Sequence, residues 1–217
     1  MRYSTVLFDL DGTLTDPSVG ICTCIRYALE KAGRPVKPNE YYYKYIGPPL
    51  LRSFEVFENA TPEEAQELLA FYRERFSETG LFENEVIPGI PELLRDLKAQ
   101  GLQIAVATGK PTVFAARILD HFGLTPYIDY LSGIALNGEN TEKCQIIAQA
   151  LYALGVKDKS RAVMIGDRSH DAVGAKMTHT DFIGVLYGFG NREELESEGV
   201  EMLAEDVETL RALLLQP

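Results

Sequence analysis

The chain has 217 residues, 46% of them apolar and 24% charged, with a formal net charge of −11. That composition suits a soluble globular protein that can bury a core, as one domain or one domain with an insertion. The negative balance repels nucleic-acid polymers and anionic membranes, and no run of 18 apolar residues is present to span a bilayer. The chain opens directly on an aspartate-bearing strand with no signal segment, so the expected location is the cytoplasm. Cys22, Cys24 and Cys144 form neither a CxxC pair nor an even framework, which predicts reduced thiols.

Val6-Leu7-Phe8 reads as a buried strand of a parallel sheet, and Asp9-Leu10-Asp11-Gly12-Thr13 follows at its C-terminal end. Asp16-Pro17 predicts a helix start with Asp16 as N-cap. Its inner face carries Val19, Ile21, Ile25, Ala28 and Leu29, and Gly33 stops it. A tyrosine run from Tyr41 leads into Ile46-Gly47-Pro48-Pro49-Leu50, which breaks any helix. Thr61-Pro62-Glu63-Glu64 is a capping box that opens a helix through about Thr79. Residues 16 to 84 therefore read as helical, with no strand.

From Pro88 the pattern alternates. Helices are expected from Pro91 to Gly101, over 112–122 and over 143–154, with two more near 191–198 and 206–215. Strands are expected over 102–107, 130–134, 162–165 and 182–186. This predicts an α/β fold: a doubly wound parallel sheet formed by residues 1–15 and 85–217, with 16–84 inserted as a small helical domain. The insertion falls at the rim where strand ends gather ligands, and there it can close as a lid.

The strand ends carry the chemistry. Asp9 and Asp11 stand two residues apart and repel one another unless a cation lies between them, which suggests a hard metal such as Mg²⁺. A carboxylate is also a nucleophile capable of forming an aspartyl-phosphate. Thr108-Gly109 offers a hydroxyl and an unhindered amide before a helix N-terminus, a natural anion site, while Lys110 either adds positive charge or is solvated. Lys143 opposes a helix dipole, so it is either placed for a nearby anion or a surface lysine beside Glu142. Asp167 and Asp171, spaced across a helix start, fall on one side of a turn. Four carboxylates in one place call for a cation.

Asp9-Leu10-Asp11-Gly12-Thr13 resembles the DxDGT signature of the haloacid-dehalogenase-like (HAD) hydrolase superfamily. Thr108, Lys143 and the stretch Gly166-Asp167-Arg168-Ser169-His170-Asp171 resemble its second, third and fourth motifs, in family order. The loop before Lys143, Asn137-Gly138-Glu139-Asn140, is less typical. The resemblance implies a Rossmann-like core with a type-one helical cap. It implies Asp9 as nucleophile, Asp11 as general acid and base, and Thr108, Gly109 and Lys143 on the phosphate. It places Mg²⁺ on Asp9, Asp11, Asp167 and Asp171, the last directly or through water. Asp11 argues against dehalogenation, whose enzymes in this superfamily lack the second aspartate. Lys44 is a candidate for the Schiff-base lysine of phosphonate hydrolases, but its surroundings do not resemble theirs.

Tyr45-Ile46-Gly47-Pro48-Pro49-Leu50 and Gly184-Val185-Leu186-Tyr187-Gly188-Phe189-Gly190 resemble the phosphoglycolate phosphatase and 5′-nucleotidase branch. The expectation is a Mg²⁺-dependent phosphomonoester hydrolase acting on a small phosphorylated metabolite. The alternatives are a sugar-phosphate mutase of the same fold and a non-catalytic phosphate-binding regulator. Arg52 is the anion-binding candidate of the insertion, and its tyrosines either stack on a substrate ring or pack its core. His170 matches no catalytic position of the family, His121 and His179 read as ordinary helix and turn residues, and no Ser-His-Asp arrangement is evident.

Overall fold

A computed structural model describes residues 2–136 and 142–215; the loop Asn137-Gly138-Glu139-Asn140 lies outside the described residues. In chain order the elements are β1 (Thr5–Phe8), β2 (Thr15–Asp16), α1 (Ser18–Lys31), α2 (Leu50–Phe57), α3 (Pro62–Arg75), β3 (Glu85–Val86), α4 (Ile90–Ala99) and β4 (Gln103–Pro111). There follow α5 (Thr112–His121), β5 (Tyr130–Ile134), α6 (Lys143–Ala153), β6 (Ala162–Gly166), α7 (Ser169–Thr178), β7 (Asp181–Val185), α8 (Arg192–Ser197), β8 (Leu203–Ala204) and α9 (Val207–Leu215). The chain divides into two compact units, residues 1–15 with 86–217, and residues 16–85. No described helix is long and apolar enough to cross a membrane.

The first unit is an α/β fold built on a six-stranded sheet in the order β5-β4-β1-β6-β7-β8. Each neighbouring pair is parallel, and β1 lies between β4 and β6 with Phe8 beside Val106 and Ile165. A central parallel strand is covered on both faces, which accounts for the unbroken apolar run Val6-Leu7-Phe8, all fully buried. From β1 the chain builds outward to β4 and β5, then returns to build β6, β7 and β8 on the other side. The order therefore reverses at β1, and crevices form at the strand ends where it does. Asp9 leaves the sheet there, its N–H still donating to Ile165 O at 2.9 Å.

Several features differ from the sequence expectation, the unexpected two-residue strands β2 and β3 among them. β4 runs on to Pro111, with its register against β5 shifting after Ala107, so Thr108, Gly109 and Lys110 lie on an irregular strand end. β8 has two residues, too few to show a period of two.

The second unit holds α1, α2 and α3 with a 3₁₀ turn at Asn39–Tyr45. Ser18 N–H donates to Asp16 Oδ1 at 2.9 Å, so the aspartate caps α1 from one residue before the assigned cap, Pro17. Val19 is 58% exposed: it precedes Ile21 by two positions, roughly half a turn away from the buried face. The α3 capping box is formed, with Glu64 N–H on Thr61 Oγ1 and Thr61 N–H on Glu64 Oε2, and the helix passes at Phe76 into a π turn. Tyr42 and Tyr45 are 0% and 1% exposed and meet edge to face, and Tyr45 packs likewise on Phe57. Their hydroxyls are engaged, Tyr42 accepting from Lys37 N–H and Tyr45 donating to Glu58. These two tyrosines form the core of this unit and are closed to a substrate ring.

Candidate active site

The site grows from the loop that follows β1. Leu14 and Thr15 N–H groups return to Leu10 O, and Gly12 N–H donates to Thr15 O. The loop turns at Gly12, whose φ of 81° favours glycine and where a Cβ would collide with Asp167 Oδ2. Asp9 is buried and Asp11 half-buried at the rim so formed.

Lys143 is the first residue of α6 and is 8% exposed, which settles the surface alternative. Its Nζ lies 2.8 Å from Asp9 Oδ1 and 2.6 Å from Asp171 Oδ1. Asp171 is fully buried in the first turn of α7, where its Oδ2 also accepts from Arg168 N–H. Burial raises Asp9 above the usual carboxylate range although Lys143 opposes this. Burial acts the same way on Asp171, but the Lys143 ammonium and His170 outweigh it and hold that carboxyl below its ordinary value. Burial works against the Lys143 charge in turn, and its two carboxylate partners overcome it, keeping the ammonium above its ordinary range. One cation thus serves two buried anions.

A second buried pair lies beside the first. Lys110 Nζ stands 2.6 Å from Asp11 Oδ2, with side chains 6% and 13% exposed. Sequence reasoning left Lys110 open because Thr-Gly-Lys reads as a strand-to-helix loop, where a lysine is solvated; here it is on the strand and buried. Thr108 is also buried, and its Oγ1 accepts from Lys110 N–H at 3.2 Å, while Gly109 is exposed. α5 begins at Thr112, three residues past Gly109, so neither Thr108 nor Gly109 sits at its N-terminus as the sequence suggested.

Asp167 follows the last residue of β6, Gly166, and is fully buried. Its Oδ2 accepts from Phe189 N–H at 2.7 Å. Burial first, then Asp171 and Asp9, push its carboxyl up to about 8. Asp11 Oδ1 and Asp167 Oδ1 are buried without a hydrogen-bond partner among the described residues. Such atoms are costly unless something binds them. Carboxylate oxygens left open in this way are donors of the kind a hard divalent cation takes.

His170, set aside in the sequence, has Nε2 3.7 Å from Asp171 Oδ1, and one ligand atom each of Asp9, His170 and Asp171 lie within 4.8 Å of one another. Its place between Asp167 and Asp171 at a helix start was the available signal. Arg52 is exposed on α2 in the other unit. Lys44 is exposed there too, with Nζ 3.8 Å from the Tyr41 ring centroid and 4.3 Å from that of Phe57. His121 packs edge-on to Phe122, and His179 ends α7 at a φ of 59°.

Residues 6–185 match the haloacid dehalogenase-like hydrolase family. A protein of Pseudomonas aeruginosa named 5′-nucleotidase is 41% identical over 214 residues, covering 99% of this chain and 96% of that protein. A Mycobacterium tuberculosis protein named tyrosine-protein kinase PtkA is 35% identical over 96% of this chain and 72% of its own length. The phosphoglycolate phosphatase of Caulobacter vibrioides is 31% identical over 94% of this chain and 87% of its own. The crystal structure of a predicted phosphatase from Clostridium acetobutylicum superposes with a TM-score of 0.94 at 41% identity, covering 99% of both chains. With the carboxylates and lysines of its motifs gathered at one sheet rim, the chain belongs to the haloacid dehalogenase-like hydrolase family and is one of its phosphatases.

Proposed function

We propose that this phosphatase is a Mg²⁺-dependent phosphomonoester hydrolase that works through an aspartyl-phosphate on Asp9 and acts on a small organic phosphate in the cytoplasm. The observation that carries the reading is the buried Lys143 ammonium, 2.8 Å from Asp9 at the end of β1. It neutralises the nucleophile's surroundings, so that a carboxylate can approach an anionic phosphoryl group. In the first step an Asp9 oxygen bonds to phosphorus, the ester P–O bond breaks, and protonated Asp11 gives its proton to the leaving oxygen. In the second, Asp11 takes a proton from water, the water oxygen bonds to phosphorus, and Asp9 leaves as carboxylate with release of phosphate. Thr108 Oγ1 accepts from Lys110 N–H, which leaves its own proton to donate to a phosphoryl oxygen, beside the Gly109 amide. Asp9, Asp11 and Asp167 would hold Mg²⁺, and Asp171, already tied to Lys143, would reach it through water. Bound there, the cation supplies positive charge to the phosphoryl oxygens.

In this reading residues 16–85 form the family's helical cap, and Arg52 binds the substrate's distal anionic group. The relatives named 5′-nucleotidase and phosphoglycolate phosphatase support nucleoside 5′-monophosphates and phosphoglycolate as the substrates to try first. The test is phosphate release from a panel of these with sugar phosphates, pyrophosphate and phosphotyrosine, with Mg²⁺ and with chelator, using Asp9→Asn as control. Metal-dependent turnover absent in the variant is expected, with Arg52→Ala raising KM for the preferred substrate. Turnover that survives chelation or the Asp9 change overturns the mechanism, and an unchanged KM removes Arg52.

The relative named tyrosine-protein kinase favours a second reading, transfer of the phosphoryl group to an acceptor hydroxyl other than water's, the step a sugar-phosphate mutase also needs. Label from a phosphorylated donor appearing on a protein or sugar acceptor, rather than in free phosphate, would select it.

A further inference from the structure

The segment after β7, Tyr187-Gly188-Phe189-Gly190, has no part in the reaction as described, yet it is pressed against the site. Tyr187 hydroxyl donates to Thr13 O at 3.2 Å, at the far end of the loop that carries Asp11. Phe189 N–H donates to Asp167 Oδ2 at 2.7 Å. Between them a Cβ on Gly188 would stand 2.5 Å from Asp167 Cβ, Asp167 Oδ2 and Gly12 O, so only a glycine lets the backbone pass. A Cβ on Gly190 would collide with Asp167 O. The consequence is an asymmetric carboxylate: Oδ2 is tied to a backbone amide, and Oδ1 is buried with no hydrogen-bond partner among the described residues.

We infer that Tyr187–Gly190 is a positioning clamp for the cation site, holding Asp167 with Oδ1 presented and fixing the Gly12–Thr13 loop against it. The inference rests on the reading that Asp167 holds the divalent cation. A ligand whose other atoms are held by outer hydrogen bonds binds metal in one orientation, and loss of such a bond costs affinity rather than chemistry. The clamp joins the strand-end loop of β1 to that of β6 through a third loop that touches both. It sets the spacing between Asp167 and the Asp9–Asp11 pair.

The test is calorimetric titration of Mg²⁺ into the full chain without substrate, beside phosphatase activity as a function of Mg²⁺ concentration. Tyr187→Phe is expected to weaken Mg²⁺ binding roughly tenfold. Its activity should be lost at low Mg²⁺ and recovered as Mg²⁺ is raised. Gly188→Ala, which displaces Asp167 itself, is expected to weaken binding further, by about a hundredfold. A Tyr187→Phe protein that melts earlier but keeps the wild-type Mg²⁺ affinity and half-saturation point overturns the clamp, because the hydroxyl then only packs. Should Gly188→Ala fail to fold, Tyr187→Phe alone decides. Wild-type protein that takes up no Mg²⁺ overturns the metal assignment itself, a result distinct from the two variants matching a wild type that binds.

Discussion

The helical unit and the rim of the sheet unit treat charge in opposite ways. In the helical unit the interior is aromatic and aliphatic, with Tyr42, Tyr45, Phe54 and Leu68 essentially inaccessible. Its ion pairs lie outside: the side chains of Lys31 and Glu74 are 37% and 53% exposed, and those of Arg34 and Glu64 23% and 47%. The sheet unit has exposed pairs as well, such as Arg192 with Glu205 at 51% and 65%, but at its rim the pairs are inside, with the side chains of Lys143, Asp9 and Asp171 at 6%, 5% and 0%. Taking charges out of water costs more than their mutual attraction returns unless geometry is excellent, so buried pairs are poor stabilisers. Stability alone accounts for the helical unit. It does not account for the rim of the sheet, where the arrangement costs folding energy and makes sense as preparation for an anionic substrate and a cation.

The contrast is sharpest if site substitutions separate activity from stability. Asp9→Asn should lower kcat by at least about a thousandfold while the melting temperature holds or rises. The variant no longer confines a carboxylate whose ionisation burial opposes. Lys143→Met should behave differently, because it leaves Asp9 and Asp171 buried without their shared cation. A loss on the order of 3–5 kcal/mol is expected in denaturant unfolding. Adding Asp171→Asn should recover much of that stability and none of the activity. Equal destabilisation by Asp9→Asn and Lys143→Met would break the comparison.

Phe54→Ala probes the other side. The ring is fully buried against Tyr45, and removing it should cost about 3–5 kcal/mol. Hydrogen exchange should report the loss within residues 16–85, while the Mg²⁺ isotherm of the sheet unit stays at its wild-type value. Exchange that rises uniformly over the whole chain would show that the two units share one cooperative core.

A smaller effect should follow pH. In the protein treated with chelator, burial pushes the Asp167 carboxyl up to about 8, from an ordinary aspartate value of about 4. Between those values the folded protein binds more protons than the unfolded chain, so stability should fall as pH rises from about 4 to about 8 and level off above. Melting temperatures of the chelated protein across that window check the sign. Asp167→Asn should flatten the slope.

Much of this was legible in the sequence for physical reasons. Val6-Leu7-Phe8 and Ala162-Val163-Met164-Ile165 announce themselves because a strand buried on both faces needs an unbroken apolar run. Lys143 was legible in part: a cation at a helix N-terminus is electrostatically misplaced without an anion nearby, yet the same position suits a surface lysine beside Glu142. Lys110 was not legible, since its burial depends on an irregularity of β4 that only pairing with β5 reveals. The approach of His170 to Asp9 and Asp171 was not legible, because Asp9 arrives from a distant strand and only the fold brings the three together. The tyrosines of the insertion were ambiguous because a ring that packs a core and a ring that stacks on a ligand have the same composition and spacing. Tertiary contact alone separates them.

Salt separates the two kinds of ion pair most simply, though the effect is the smallest. Lys31 Nζ lies 2.5 Å from Glu74 and sits over the Phe71 ring, but it is open to solvent. Exposed pairs are screened within a Debye length of roughly 8 Å at physiological ionic strength, whereas buried pairs are screened far less. Glu74→Gln should therefore shift the melting temperature slightly in low salt and not measurably in 0.5 M NaCl (about 4 Å of screening length). Lys143→Met should keep its full deficit in both, since no counter-ion reaches between side chains at 6% exposure or less. If the Lys143 deficit also faded with salt, the rim would be wet, and neither the upward shift of Asp9 nor that of Asp167 could rest on burial as its leading cause.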